Sequence, residues 1–144
     1  MKKILVAVDG SDMSMKVLSR ARLIADKFES EVLVITVVKK LRVTNYYTGG
    51  ELNEQMDRQI ENTAKETLER ATEVFGGYQG KFETILDYGE PAEEILLLAE
   101  REKPDMLIMG SRGLGSFSRV MLGSVSTKVL HHVKCDMLVV RNED

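Results

Sequence analysis

Five short apolar runs punctuate this chain, and a segment with helical spacing lies between each run and the next. That alternation constrains the fold more than any other feature of the sequence. Ile4 to Val8, Val32 to Val38, Met106 to Met109 and Met137 to Val140 are continuous and rich in β-branched residues, while Phe82, Thr84 and Leu86 form a weaker, alternating run. Continuous runs belong to strands covered on both faces, as in a parallel sheet. The intervening segments set apolar residues on one helical face: Val17, Ala21, Ile24, Ala25 and Phe28, then Leu52, Met56, Ile60, Ala64, Leu68 and Ala71. Ala92, Ile95, Leu96 and Ala99 form a third face, and Val129, Leu130 and Val133 a fourth. Pro91 suits a first helical position, and the Gly76-Gly77 pair closes the long second helix. The order β-α-β-α-β-α-β-α-β predicts an α/β doubly wound three-layer sandwich. Right-handed crossovers limit it to a few topologies, among which a five-stranded parallel sheet of order 3-2-1-4-5 is expected here. At 144 residues the chain is read as a single domain, 1–144.

Charge narrows the partners. A net charge of -3, with lysine and arginine scattered through the chain, gives no basic stripe of the kind that marks a nucleic-acid surface. The apolar opening stops at Asp9, too soon for a signal core or a membrane span, so no membrane partner and a cytoplasmic location are expected. Cys135 is the one cysteine and cannot form an internal disulfide.

Two connections exceed the two to six residues usual in such units: Lys39 to Gly50 after the second strand, and about a dozen residues after the fourth. Ligands of doubly wound sheets bind beyond the carboxyl ends of the strands, where the strand order reverses. In the expected order that point lies between Asp9, closing the first strand, and the loop that opens at Gly110. The loop spaces its glycines as Gly110, two residues, Gly113, nine residues, Gly123, followed by Ser124. Glycines let the backbone turn with positive φ and let a ligand approach the amides, so such a loop can line up N–H donors for an anion. Ser124 is expected to cap the helix that follows, with its unpaired amides and positive dipole end, and Ser124 and Ser126 to add hydroxyl donors. The spacing is neither a Walker A loop nor the dinucleotide fingerprint, since the first strand is followed by Gly10 alone.

These residues carry a resemblance. The opening "KKILVAVDGS", the "MGSRG" turn, "LGSVSTKVL" and the closing "CDMLVVR" together resemble the universal stress protein family, ATP-binding type, over essentially the whole chain. The resemblance implies a Rossmann-like, adenine nucleotide alpha hydrolase-like fold that binds ATP, with Mg as its accompanying ion. It implies that Ala7, Asp9 and Val37 hold adenosine, joined around base and ribose by Met109, Gly110, Arg112 and Gly113. Gly123, Ser124, Val125 and Ser126 would hold the phosphates. A charge contact from Arg112 is an inference of our own, because that position varies in the family. Related proteins dimerise through their last strands, and the unguarded apolar edge Met137 to Val140 points the same way, to an antiparallel homodimer.

The function expected from this reading is a homodimeric stress-response or signalling module that holds an adenine nucleotide with little or no hydrolysis. The alternative is a slow ATPase or phosphotransferase using the same site, since phosphoryl transfer is mainly positioning and charge neutralisation. A phospho-acceptor receiver domain, with Asp87 as acceptor and Asp9 and Asp12 as its acidic cluster, is a third class that leaves the glycine loop unexplained. Asp9 suits ribose hydroxyls or a divalent metal. His131 and His132 are expected to complement the negative pole of the last helix, and Cys135 to pack as a small apolar group. Tyr46 and Tyr47 are read as a cleft lid, a docking point or a shield for the core.

Overall fold

The computed structural model describes residues 1–39, 50–112 and 122–142. Nine elements alternate along them: β1 (Lys3–Ala7), α1 (Asp12–Phe28), β2 (Glu31–Val38), α2 (Gly50–Val74), β3 (Phe82–Tyr88), α3 (Pro91–Glu102), β4 (Met106–Gly110), α4 (Ser124–His132) and β5 (Asp136–Val140). The strands form one sheet of order β3-β2-β1-β4-β5, and every pairing is parallel. The sequence expectation for the sheet therefore holds.

Burial follows from this order. The central strand β1 is covered on both faces, and Ile4, Leu5, Val6 and Ala7 are all buried, which is why its sequence reads as continuous rather than alternating. Side chains of alternate residues divide between two cores. Ile4, Val6, Val34 and Ile108 pack under α1 and α2. Leu5, Ala7, Ile35, Leu107 and Met109 pack under α3 and α4. The outer strand β3 is only half-buried, and its burial does not follow the alternation of its sequence, since Thr84 is exposed beside Glu83.

The helix ends are fixed by local chemistry. Pro91 sits at the start of α3, where its missing N–H removes no helical bond, and the Glu90 side chain accepts from Glu93 N–H as the N-cap. Arg22 on α1 donates to the carbonyls of Val74 and Gly76 at the end of α2, 3.1 and 3.0 Å away. It is held there by Asp26, 3.0 Å from its Nε, and lies 5.8 and 5.3 Å from the ring centres of Phe75 and Tyr78. Three residues expected on apolar faces are in fact exposed: Met56, Phe28 and Leu130. Phe28 is the last residue of α1, where Glu29 turns left-handed and carries the chain away, and Leu130 lies a hundred degrees around the helix from buried Val129.

Candidate functional site

The switch point between β1 and β4 is built from two turns. After Ala7 the β1–β2 ladder is extended by Val8 N–H donating to Ile35 O at 3.0 Å, and the chain then leaves the sheet at Asp9. Asp9 Oδ1 accepts from Ser11 N–H at 3.0 Å, an Asx turn, and from the Ser14 hydroxyl at 3.2 Å. Ser14 Oγ in turn accepts from the amides of Asp9 and Gly10, at 3.2 and 3.1 Å. Gly10 has φ +84, and a Cβ there would lie 3.0 Å from Thr67 Oγ1 on α2, so no other residue fits this turn without strain. Asp9 therefore organises the start of α1 while its carboxylate stays exposed. Ser11 Oγ is buried without a partner beside a cavity of about 10 Å³, room for one water.

The second turn follows β4. Gly110 is paired in register with Val140, and Ser111 N–H donates to Val140 O at 2.9 Å. Ser111 O accepts from Gly123 N–H at 2.7 Å, and the Ser126 hydroxyl donates to Gly110 O at 2.7 Å. The N-cap of α4 is Gly123, with φ -65 and ψ 165, and not the expected Ser124, which is the first helical residue. The first intrahelical bond runs from Thr127 N–H to Gly123 O at 2.9 Å. Ahead of it stand the amides of Ser124, Val125 and Ser126, three donors at the positive end of the helix. Two expectations change here. Gly123 N–H and the Ser126 hydroxyl are engaged within the turn, so among the described residues the donors at the start of α4 left for an anion are the three amides and the exposed Ser124 hydroxyl. Gly110 and Gly123 are also not glycine for the sake of positive φ, since neither has one. A Cβ on Gly110 would stand 3.3 Å from Arg112 O and 3.4 Å from Met13 Cβ on α1, so close packing explains it instead.

One open cleft of about 960 Å³ joins the two turns, near the upper limit for small-molecule sites. Ala7, Val37 and Met109 line it from the α3/α4 side of the sheet, together with Pro91 and Ile95. Asp9, Gly110 and Arg112 line it at the carboxyl ends of β1 and β4. Gly123, Ser124, Val125 and Ser126 close it at the start of α4. Gly113, Tyr46 and Tyr47 lie outside the described residues. Ser14, Ser111 and Glu90 were not anticipated as site residues. Ser14 acts by accepting from backbone amides and Ser111 through its own backbone N–H and C=O, and neither leaves a spacing signal in the sequence.

The charges of the cleft are few. Among its described lining residues Lys39 and Arg112 are cationic, and Asp9 and Glu90 anionic. Burial alone pushes the Glu90 carboxyl up, but the Glu93 amide, the Lys128 ammonium and the Ala92 amide outweigh it and hold the group below its ordinary range. Lys128 reaches Glu90 and Glu93 at 3.6 and 3.5 Å, linking α4 to α3. Asp87 stands on outer strand β3, does not line the cleft and is not brought to Asp9, so the receiver-like acidic cluster does not assemble. Among the described residues no group of three His, Cys, Asp or Glu side chains is placed to hold a metal ion. His131 and His132 are in the last turn of α4, and His132 Nδ1 lies 2.8 Å from Lys128 O. Cys135 packs partly into the core, and burial pushes its thiol pKa up. No helix among the described residues is long and apolar enough to cross a membrane.

A doubly wound domain with a helix N-terminus at a cleft beside its switch point is an α/β arrangement that suits a small anionic ligand. Comparison with known proteins specifies the family. The model of the universal stress protein family matches residues 1–141, and the chain belongs to that family. Universal stress protein YxiE of Bacillus subtilis is 34% identical over 145 residues, covering 96% of this chain and 98% of its own. The structure of universal stress protein UspA from Lactobacillus plantarum superposes with a TM-score of 0.84 at 25% identity, covering 97% of each chain. The same fold is seen in a universal stress protein solved in complex with cAMP, with a TM-score of 0.71, 24% identity and 96% of each chain covered. It recurs in the Archaeoglobus fulgidus protein in complex with dAMP, with a TM-score of 0.70, 21% identity and 98% of each chain covered. An Arabidopsis thaliana family member with AMP bound gives a TM-score of 0.69 at 21% identity, covering 100% of this chain and 94% of its own.

Proposed function

We propose that this chain is an adenine-nucleotide-binding member of its family, holding ATP as a homodimeric stress-response or signalling module with little or no hydrolysis. The observation that carries the reading is the three-amide row of α4 opening into the same cleft as Asp9 and the apolar floor Ala7, Val37 and Met109. The apolar floor suits a base, Asp9 the ribose hydroxyls, and the amides of Ser124, Val125 and Ser126 the phosphates, with Arg112 and Lys39 adding charge. Gly110 and Gly113 complete the loop, and Gly123 shapes its end. Charge-assisted hydrogen bonds contribute about 1.5 to 3 kcal/mol each, so four or so with base burial reach the roughly 8 kcal/mol of micromolar binding. That proteins of the same fold are solved with cAMP, dAMP and AMP supports the choice of adenine.

Magnesium fits this donor set as a companion of the triphosphate, since such ions are held by one or two carboxylates and substrate phosphates, and Asp9 is the exposed carboxylate at the cleft. Slow turnover is expected because Glu90, the other carboxylate, is turned to Glu93 N–H and Lys128 and held ionised below its ordinary range, which makes it a weak base. The exposed edge of β5, Met137 to Val140, is the dimer surface in this reading. Titration calorimetry with ATP, AMP, GTP and inorganic phosphate tests the proposal. Micromolar binding of ATP and AMP with GTP weaker supports it, and equal binding of ATP and GTP refutes the adenine assignment.

A further inference from the structure

The Ser126 hydroxyl stands at the phosphate end of the cleft, yet its proton is committed to a backbone carbonyl. At 3% exposure and 2.7 Å from Gly110 O, it donates to a backbone carbonyl that can only accept. What the hydroxyl has left to offer is lone-pair density, which a phosphate oxygen avoids. The bond it makes is one of two that tie the first turn of α4 to the end of the sheet, Ser126 Oγ–H to Gly110 O and Gly123 N–H to Ser111 O, and Ser111 N–H in turn donates to Val140 O on β5. Gly110 and Ser111 are consecutive, so their two carbonyls receive the hydroxyl from inside the helix and the amide from its cap. The amides of Ser124 and Val125 lie between those two anchors.

Resting on the nucleotide reading above, we propose that Ser126 is a positioning residue. Its hydroxyl fixes the α4 amide row against the end of β4, its own N–H contacts the phosphate, and its influence on affinity is confined to the phosphate part of the ligand. Without the hydroxyl the Gly110 carbonyl loses its buried partner and the first turn loses one of its two anchors. The amides then keep their identity but not their common aim, and a preorganised donor row is what an anion site needs.

The experiment compares wild type, Ser126→Ala and Ser126→Thr, which keeps a hydroxyl. Affinities for adenosine, AMP and ATP are measured by calorimetry, and exchange of the Gly123 amide proton is followed by NMR in the unliganded protein. The expected result for Ser126→Ala is about a tenfold loss of AMP and ATP affinity, as for a buried hydrogen bond, with adenosine within twofold of wild type. Gly123 exchange in the unliganded variant rises several-fold, and Ser126→Thr restores both. Weakened AMP binding with unchanged Gly123 exchange overturns the inference in favour of direct phosphate donation. Equal losses for adenosine and AMP overturn it in favour of a general structural role, and no change in any readout removes the role altogether. Wild-type protein that binds neither AMP nor ATP refutes the nucleotide reading and the ligand half of this inference together, while the exchange data still decide whether the hydroxyl anchors the turn.

Discussion

Asp9 carries two duties that a pair of substitutions can separate. Its Oδ1 accepts from Ser11 N–H and Ser14 Oγ–H at the entry to α1, and its exposed carboxylate lines the cleft. Asp9→Ala removes both. The Ser11 amide and the Ser14 hydroxyl both lose their acceptor, which costs about 1 kcal/mol, with a range of roughly 0.5 to 1.5, for each bond. Removing charged acceptors from the ribose costs about 1.5 to 3 kcal/mol of binding, which is roughly a ten- to 150-fold weaker dissociation constant. Asp9→Asn keeps a side-chain oxygen at the Oδ1 position and removes the charge. Its stability should therefore stay within about 0.5 kcal/mol of wild type while nucleotide affinity still falls about tenfold. Urea denaturation of the unliganded proteins gives the first quantity and calorimetric titration with AMP the second. If Asp9→Asn binds AMP as wild type does, the charged-acceptor role is wrong. If Asp9→Ala unfolds at the wild-type urea midpoint, the turn geometry does not contribute as described.

Arg22→Met should destabilise the fold by about 2 kcal/mol, because the Val74 and Gly76 carbonyls lose a charged donor, and Arg22→Lys should recover only part of it for want of a planar fork; thermal unfolding at low and high salt reads both. Gly110→Ala should cost about 1 to 3 kcal/mol from crowding against Met13 and Arg112 O, measured by the same unfolding assay. Acid should weaken the fold below about pH 4.5. Glu90, despite a burial effect in the other direction, and Asp105, which accepts from the Lys3 and Lys2 amides, both have folded pKa values below their ordinary 4.5 and 3.8. Their stabilisation is complete above those ordinary values and is lost as pH falls through the lowered ones. Glu94 runs the other way: desolvation first, and then Asp87, raise it above 4.5, so folding loses stability as pH rises through that range and Glu94→Gln should remove the loss. Stability against pH for wild type and Glu94→Gln, by urea titration between pH 3 and 7, checks both signs.

Much of this architecture is legible in the sequence because burial on two faces leaves a mark on composition. Continuous runs such as Ile4 to Val8 announce a covered parallel strand, whereas the weaker run at Phe82, Thr84 and Leu86 marks where β3 lies but not which of its residues are covered, Thr84 being exposed. The glycine spacing begins at the carboxyl end of β4, where Gly110 and Gly123 both line the cleft. The reasons for those glycines were less legible: Gly110 is demanded by the approach of α1, a tertiary contact that no spacing encodes. Ser14 and the Ser126–Gly110 bond were hidden for a similar cause, since serines that serve backbone groups look like any others until the chain is folded. Phe28 and Leu130 show the limit of helical periodicity, which specifies a face but not where the neighbouring layer ends.

The account rests on a nucleotide in the cleft, and the most direct test is to denature the protein as purified, without added nucleotide, and identify what is released by chromatography and mass spectrometry. The account predicts ATP in near-stoichiometric amount. An empty protein that also fails to bind added ATP, or one that releases a ligand with neither adenine nor phosphate, would contradict it.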